Sequence, residues 1–198
     1  MSMSHGIQSV SEATLTYLME NPEHIGLFFA PPGEKPGLLY RLLHPKRTAV
    51  YYEKLATFQS LPPGFKEDML HEDCSVDVMW QGLHYLFTGT EWEGDWPARF
   101  LMQGGKAVGD VDVSGYGPAW AYTPAQVEEI HQFLSTVTAS ELRERYNPET
   151  MDELSLYPTG WTEDSNDRLI DLIHYLAVLQ EYFAQISSEK LGAICYLG

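Results

Sequence analysis

The chain has 198 residues, of which 44% are apolar, 20% charged and 13% aromatic, with five tryptophans. This composition excludes a disordered chain, and at this length roughly 70% of the unfolded surface can be buried, so one domain needs no metal or disulfide staple. The formal charge of −16 repels phosphate backbones and excludes general nucleic-acid binding, and no run approaches the ~18 apolar residues of a membrane span.

In chain order, Ile7–Val10 reads as a short strand. Ser9 and Glu12 have capping-box spacing for a helix through Leu15, Leu18 and Met19, which Asn21-Pro22 stops. Pro31-Pro32-Gly33 and Pro62-Pro63-Gly64 are turns, and between them lie helical patterns over 36–44 and 46–59. Residues 61–75 are polar and loop-like. Residues 77–90 then read as one amphipathic helix ending at Gly89. One side carries Val76, Met79, Leu83, Leu86 and Phe87. The other carries Asp77, Gln81, His84 and Thr88, with Trp80 on the border.

An acidic loop with two tryptophans follows over 88–97, then a short helix over 97–103 that Gly104-Gly105 breaks. Residues 106–122 alternate and read as two strands around Gly115-Tyr-Gly-Pro. Thr123-Pro-Ala-Gln126 marks a helix start with the stripe Val127, Ile130, Leu134, Val137. Thr138-Ala-Ser-Glu141 starts another, ending near Tyr146, and Asn147-Pro148 begins a further turn. The longest helix covers about 165–188 with Leu169, Leu172, Ile173, Leu176, Leu179, Phe183 and Ile186 on one side. Gly192 ends it, and 193–197 reads as a terminal strand. The expected fold is α+β: a mostly helical single domain over 1–198, with a small sheet of short strands from the start, middle and end of the chain.

The charge is unevenly spread. Residues 1–60 hold five acids and five bases, whereas 61–198 hold 23 acids and seven bases. That surface suits a cationic protein or a cationic small-molecule ligand, and acidity also serves solubility. The two cysteines, Cys74 and Cys195, form no CxxC pair, and the start of the chain has neither a basic nor an apolar leader region. Both features suggest a reducing compartment and a cytoplasmic location.

Several constellations are weighed against plainer readings. His84 has Gln81 and Thr88 within one helical turn, which suits a ligand contact or general base. A structural or surface histidine is the plainer reading. Asp77 lies two turns away, about 10 Å along a helix axis, too far to orient His84 as a catalytic partner. Trp80 is a core anchor or a stacking face, and Tyr116 in its glycine-flanked turn is the group that could close a pocket over that helix. The candidate pocket is therefore Asp77, Trp80, Gln81, His84, Thr88 and Tyr116. Asp110-Val-Asp112-Val-Ser114-Gly115 resembles half of a calcium loop, but Ala121 stands where a bidentate glutamate is required. A strand with a glycine turn accounts for it better. His71-Glu-Asp-Cys74 lacks a second ligand cluster and reads as a solvated loop. Trp92 and Trp96 among Glu91, Glu93 and Asp95 form either a sugar or cation platform or a packed loop. His131 and His174 lie off the apolar stripes. No motif requires a cofactor or a metal.

Taken together, the Met-Ser-Met start, Asp77-x-x-Trp80-x-x-Leu83-His84 with Thr88-Gly89, Gly115-Tyr116-Gly117-Pro118-Ala119, Leu142-Arg143-x-x-Tyr146 and Leu156-Tyr157-Pro158-x-x-Trp161 resemble the YfbM-like bacterial proteins, a family of unknown function. The resemblance spans the chain and is weakest over 30–70, which reads as a family-variable insertion. It implies a compact single-domain α+β fold and no reaction. Its recurring positions matched here are Trp80, His84, Gly89, Tyr116, Pro118, Tyr157, Pro158 and Trp161. These are mostly residues that specify turns and packing. The expected function is a non-catalytic binding or protein-interaction module; the alternative is a hydrolase-like enzyme with a pocket around His84, Trp80 and Tyr116.

Overall fold

A computed structural model describes residues 3–102 and 104–198. Its frame is one antiparallel sheet of β1 (His5–Val10), β2 (Asp73–Asp77), β3 (Lys106–Asp112), β4 (Pro118–Tyr122) and β5 (Gly192–Leu197), in the order β2-β1-β5-β4-β3. The first and last strands pair at its centre, Ile7 opposite Cys195 and Ser9 opposite Ala193. The described helices are α1 (Glu12–Glu20), α2 (Ile25–Phe29), α3 (Leu38–Leu43), α4 (Pro45–Ser60), α5 (Pro63–Asp68), α6 (Trp80–Thr88), α7 (Pro124–Thr136), α8 (Ala139–Arg145), α9 (Pro148–Glu153) and α10 (Ser165–Ser188), with a 3-10 turn at Pro22–His24. The molecule is thus a mostly helical α+β single domain with its strands drawn from the start, middle and end of the chain.

Strand alternation divides the core between the two sheet faces. Ile7, Cys74, Val76, Tyr122 and Cys195 pack with α6, α7, α8, α9 and α10. Val10, Val108, Ala121 and Ile194 pack with Leu15, Leu18, Ile25, Phe28 and Phe65 from the short helices on the opposite face. The long helix α10 buries Leu172, Leu176, Leu179, Phe183 and Ile186, the spacing that its stripe predicts. Both capping boxes form: Thr123 with Gln126 and Thr138 with Glu141.

Four boundaries differ from the sequence reading. First, the backbone of Ser9 belongs to the β1–β5 ladder, so Ser11 takes the cap of α1 and accepts from Thr14 N at 3.3 Å. Second, 61–75 is not a loop. It contains α5 and β2, whose alternating burial seats Cys74 and Val76 in the core. Third, the pattern over 77–90 is split. Its first residue, Asp77, ends β2 at a positive φ of 47°, and the helix starts only at Trp80. Pairing of β1 with β2 through His5 and Asp77 uses that backbone as strand. Fourth, residues 97–102 form successive turns rather than a helix; the buried Tyr122 hydroxyl donates to Phe100 O at 2.6 Å, taking a carbonyl that a helix would use. The remainder of that expected helix, residue 103, lies outside the described residues.

Gly89 ends α6 in the left-handed region, φ 76°, with its N–H on Tyr85 O at 2.7 Å, a conformation that a Cβ disfavours. Gly82 serves a different need. A Cβ there would overlap Trp161 Cη2 and approach Trp161 Cζ2 to 2.9 Å, so the missing side chain is what admits the buried indole against α6.

Candidate functional site

The polar side of α6 faces protein, not solvent. Trp80 and His84 are fully buried and Gln81 is 3% exposed. Gln81 joins two loops: its Nε2 donates to Glu91 O at 3.3 Å, and its Oε1 accepts from Tyr157 N at 2.8 Å. Thr88 Oγ1 donates back to His84 O at 2.8 Å and accepts from Thr90 N at 3.2 Å. Trp80 Nε1 donates to Met3 O at 3.2 Å, while Met3 N donates to the Tyr157 hydroxyl at 2.7 Å. This face therefore anchors the acidic 88–97 loop, the 157–161 loop and the start of the chain. His84 sits beneath the first of these. Burial pushes its pKa down to about 4 against the opposing pull of the nearby Glu93 backbone, and neither ring nitrogen completes a hydrogen bond. Its surroundings therefore favour the neutral imidazole, enclosed beneath that loop.

The remaining residues of the expected pocket lie elsewhere. Asp77 is exposed at the end of β2. Tyr116 is 43% exposed and lines a cavity of about 30 Å³ with His5, Trp120 and Tyr122 on the β4–β5 side of the sheet. His5 is also buried, with its pKa pushed down to about 4 by burial. The structure thus gathers Trp80, Gln81, His84 and Thr88 as packing and hydrogen-bonding residues and places Asp77 and Tyr116 apart from them.

Of the two tryptophans in the acidic loop, Trp96 stacks on Tyr122 at 5.8 Å and donates from its indole to the Glu129 carboxylate. Trp92 stays 54% exposed beside a hollow that Arg99 shares with Glu93 and Asp95. Asp112 Oδ1 accepts from the backbone of Ser114, Gly115 and Gly117. These bonds hold its carboxyl below the usual range, Gly115 contributing most. The half calcium motif is a turn that satisfies itself. Among the described residues, no group of three or more His, Cys, Asp or Glu is placed to hold a metal ion.

Another cleft lies between the 71–74 edge of β2 and the C-terminal half of α10. Its volume is about 380 Å³, within the size range of small-ligand sites. Glu72, Asp73, Glu181 and Glu189 line it, and no Lys or Arg does. Cys74, Val178 and Ile186 supply its apolar surface and Tyr182 and Gln185 its neutral polar groups. The Tyr182 hydroxyl lies 3.3 Å from Ile7 O and 3.4 Å from Glu72 O. Burial raises its pKa, opposed by a hydrogen bond with Ser9, so it remains a neutral donor. Burial, reinforced by the Asp73 charge, pushes the Cys74 thiol up to about 12. Cys74, 4% exposed, forms part of the cleft wall. Its distance from Cys195 follows from their shared neighbour Ile7, which pairs with each from opposite sides. That geometry sets them two strand spacings apart, about 10 Å, beyond disulfide reach.

At the cleft's inner end, Ser9 Oγ lies 3.1 Å from His71 Nδ1, and His71 Nε2 lies 3.7 Å from Asp68 Oδ1. The buried Asp68 accepts from Ser11 N at 2.9 Å and Ser11 Oγ at 2.6 Å, pinning α1 to α5. This line of Ser, His and Asp is largely built into the sheet. His71 Nδ1 is equally close to Ser9's own carbonyl, and Ser9 is 4% exposed within the central ladder. Its arrangement fixes the His71 ring as a wall of the cleft. The sequence reading weighed His71 and Cys74 only as metal ligands, because the residues of this site come from β1, the 68–74 connection and α10; the alternation of Cys74 and Val76 was the one local sign of a strand there.

A family model described as a domain of unknown function, DUF1877, matches residues 1–196. A search of curated proteins finds no match. Among solved structures, the fold is similar to that of YfbM, a protein of unknown function from Escherichia coli. Sequence identity is 14% and the TM-score is 0.64, with 98% of this chain and 99% of that chain covered. At that identity the likeness concerns the fold alone.

Proposed function

The chain belongs to the DUF1877 family of domains of unknown function, and from that premise we propose that it is a non-catalytic binding module whose cleft between β2 and α10 receives a cationic group. The observation that carries this reading is the lining of the cleft: four carboxylates, Glu72, Asp73, Glu181 and Glu189, with no Lys or Arg among them. An ammonium or guanidinium entering there meets acceptors on both walls, while Val178 and Ile186 contact its alkyl stem. The excess of negative charge over 61–198 speeds the approach of such a ligand. The hydrolase-like alternative around His84, Trp80 and Tyr116 has less support, because His84 is sealed beneath the 88–97 loop and Tyr116 lines a different cavity.

Calorimetric titration with spermidine and, separately, with a short Lys/Arg-rich peptide tests this reading. Binding of either is expected, weakening as salt rises. The Glu181→Gln/Glu189→Gln variant should bind at least about tenfold more weakly. A response to spermidine alone assigns a small molecule, and a response to the peptide alone assigns a protein side chain. No heat from either titrant, or equal affinity in the variant, overturns the proposal.

A further inference from the structure

The segment 31–60 contains no buried residue. It folds into α3 and α4, which pack mainly on each other. Within it Leu38, Leu39, Leu42 and Leu43 are 66–71% exposed and Val50 is 60% exposed. Its tie to the body lies at the far end of α4, where Phe58 packs against the smaller core cluster and Lys66 covers the Phe58 ring at 5.2 Å. Inside the hairpin, Arg41 Nη1 donates to the Tyr52 hydroxyl at 3.3 Å and Tyr51 to Gly33 O at 3.2 Å. These contacts hold its shape without covering its leucines. A concentrated row of exposed leucines is unusual on a monomeric surface and marks an interaction face.

The charge of the hairpin is opposite to that of the rest. Residues 31–60 hold two acids, Glu34 and Glu53, and five bases, Lys35, Arg41, Lys46, Arg47 and Lys54, a net +3. The rest of the chain holds 26 acids and seven bases, a net −19. We propose that the α3–α4 hairpin is a self-association arm, docking its leucines and basic residues on the acidic body of a second copy of this chain. Charge complementarity selects that occupant. An anionic membrane or a nucleic acid attracts the arm but repels a body that is six times more strongly charged. Two arms meeting leucine to leucine bring two +3 segments together, whereas arm on body joins opposite signs. A two-fold arrangement makes the contact twice, each copy giving its arm and receiving the other's. The inference rests on the arm and the charge distribution, independently of the cleft.

Sedimentation equilibrium of the full chain at low and high salt tests it. The expected result is a twofold mass at low salt that falls toward the single-chain mass at high salt, as ion pairs are screened. Leu39→Ser/Leu42→Ser and Lys46→Glu/Arg47→Glu should each raise the dimer dissociation constant at least about tenfold while the circular dichroism spectrum stays that of the wild type. A single-chain mass at low salt overturns the proposal. So does a dimer that strengthens with salt, the signature of arm against arm, or co-sedimentation of the wild type with anionic phosphatidylserine vesicles in place of dimer formation.

Discussion

Helix α6 and the α3–α4 hairpin are opposites. The first buries polar side chains: Gln81 and His84 face protein while Leu83 and Leu86 pack on the other side. The second exposes apolar ones, with no residue of 31–60 buried. Each is amphipathic in sequence. An amphipathic pattern says that a helix has two unlike faces, and the neighbours decide which face meets water. Around α6 the 88–97 and 157–161 loops supply hydrogen-bond partners for Gln81 and Thr88, so these two can be buried at little net cost, whereas His84, with both ring nitrogens unpaired, carries a desolvation cost. Around α3 none of the described elements covers the leucines.

Trp161→Ala is the most severe challenge to the sealed face of α6. The indole is fully buried, packs on Gly82 and donates to Leu156 O at 2.9 Å. Its loss should cost about 3–5 kcal/mol, measured by urea denaturation. A loss under about 1 kcal/mol would show that α6 is not sealed there.

Acid pH should act on a similar scale. His5 and His84 each fall from 6.5 to about 4 through burial. Between those values the unfolded chain binds protons that the folded chain refuses, so stability is full above 6.5 and declines as pH drops toward 4. The linkage is on the order of 3 kcal/mol for each histidine. Denaturation midpoints followed from pH 7 to 4 should show this decline, with a visibly shallower slope in His84→Gln. An unchanged slope in that variant would mean that His84 titrates in the folded state.

Gly82→Ala probes the same packing with a single methyl group and should cost about 1–3 kcal/mol. Because it presses on Trp161 it should not add to the loss in Trp161→Ala. At the other pole of the comparison, Leu42→Ser in the hairpin should change the stability of the isolated chain by less than about 0.5 kcal/mol. A larger loss at low protein concentration would mean that the arm already packs within its own chain.

The family positions that recur in this chain find physical reasons in the same region. Trp80 stacks on Tyr157 at 6.0 Å, Gly89 closes α6 and Trp161 fills the space over Gly82. Asp152, which the sequence reading did not single out, holds the 157–161 loop by accepting from Gly160 N, Trp161 N and Thr162 N. Its carboxyl is held low chiefly by the Thr162 hydroxyl. No periodicity marks such a residue, because its partners are backbone amides up to ten positions away.

Local chemistry sufficed for most of the elements. The capping boxes at Thr123 and Thr138, the stripe of α10, the strands at both ends and the helical pair between the two proline turns all follow from contacts within a few residues, which the sequence contains in full. Tertiary structure decided the rest. Pairing with β1 turned Asp77 and the 73–76 segment into strand, the Tyr122 hydroxyl took the Phe100 carbonyl from an expected helix, and two loops closed over His84. Only the fold could bring Ser9, His71, Glu72 and Glu189 to one cleft. Burial and long-range hydrogen bonding depend on which distant segment arrives opposite, and a residue's own neighbours in sequence do not carry that information.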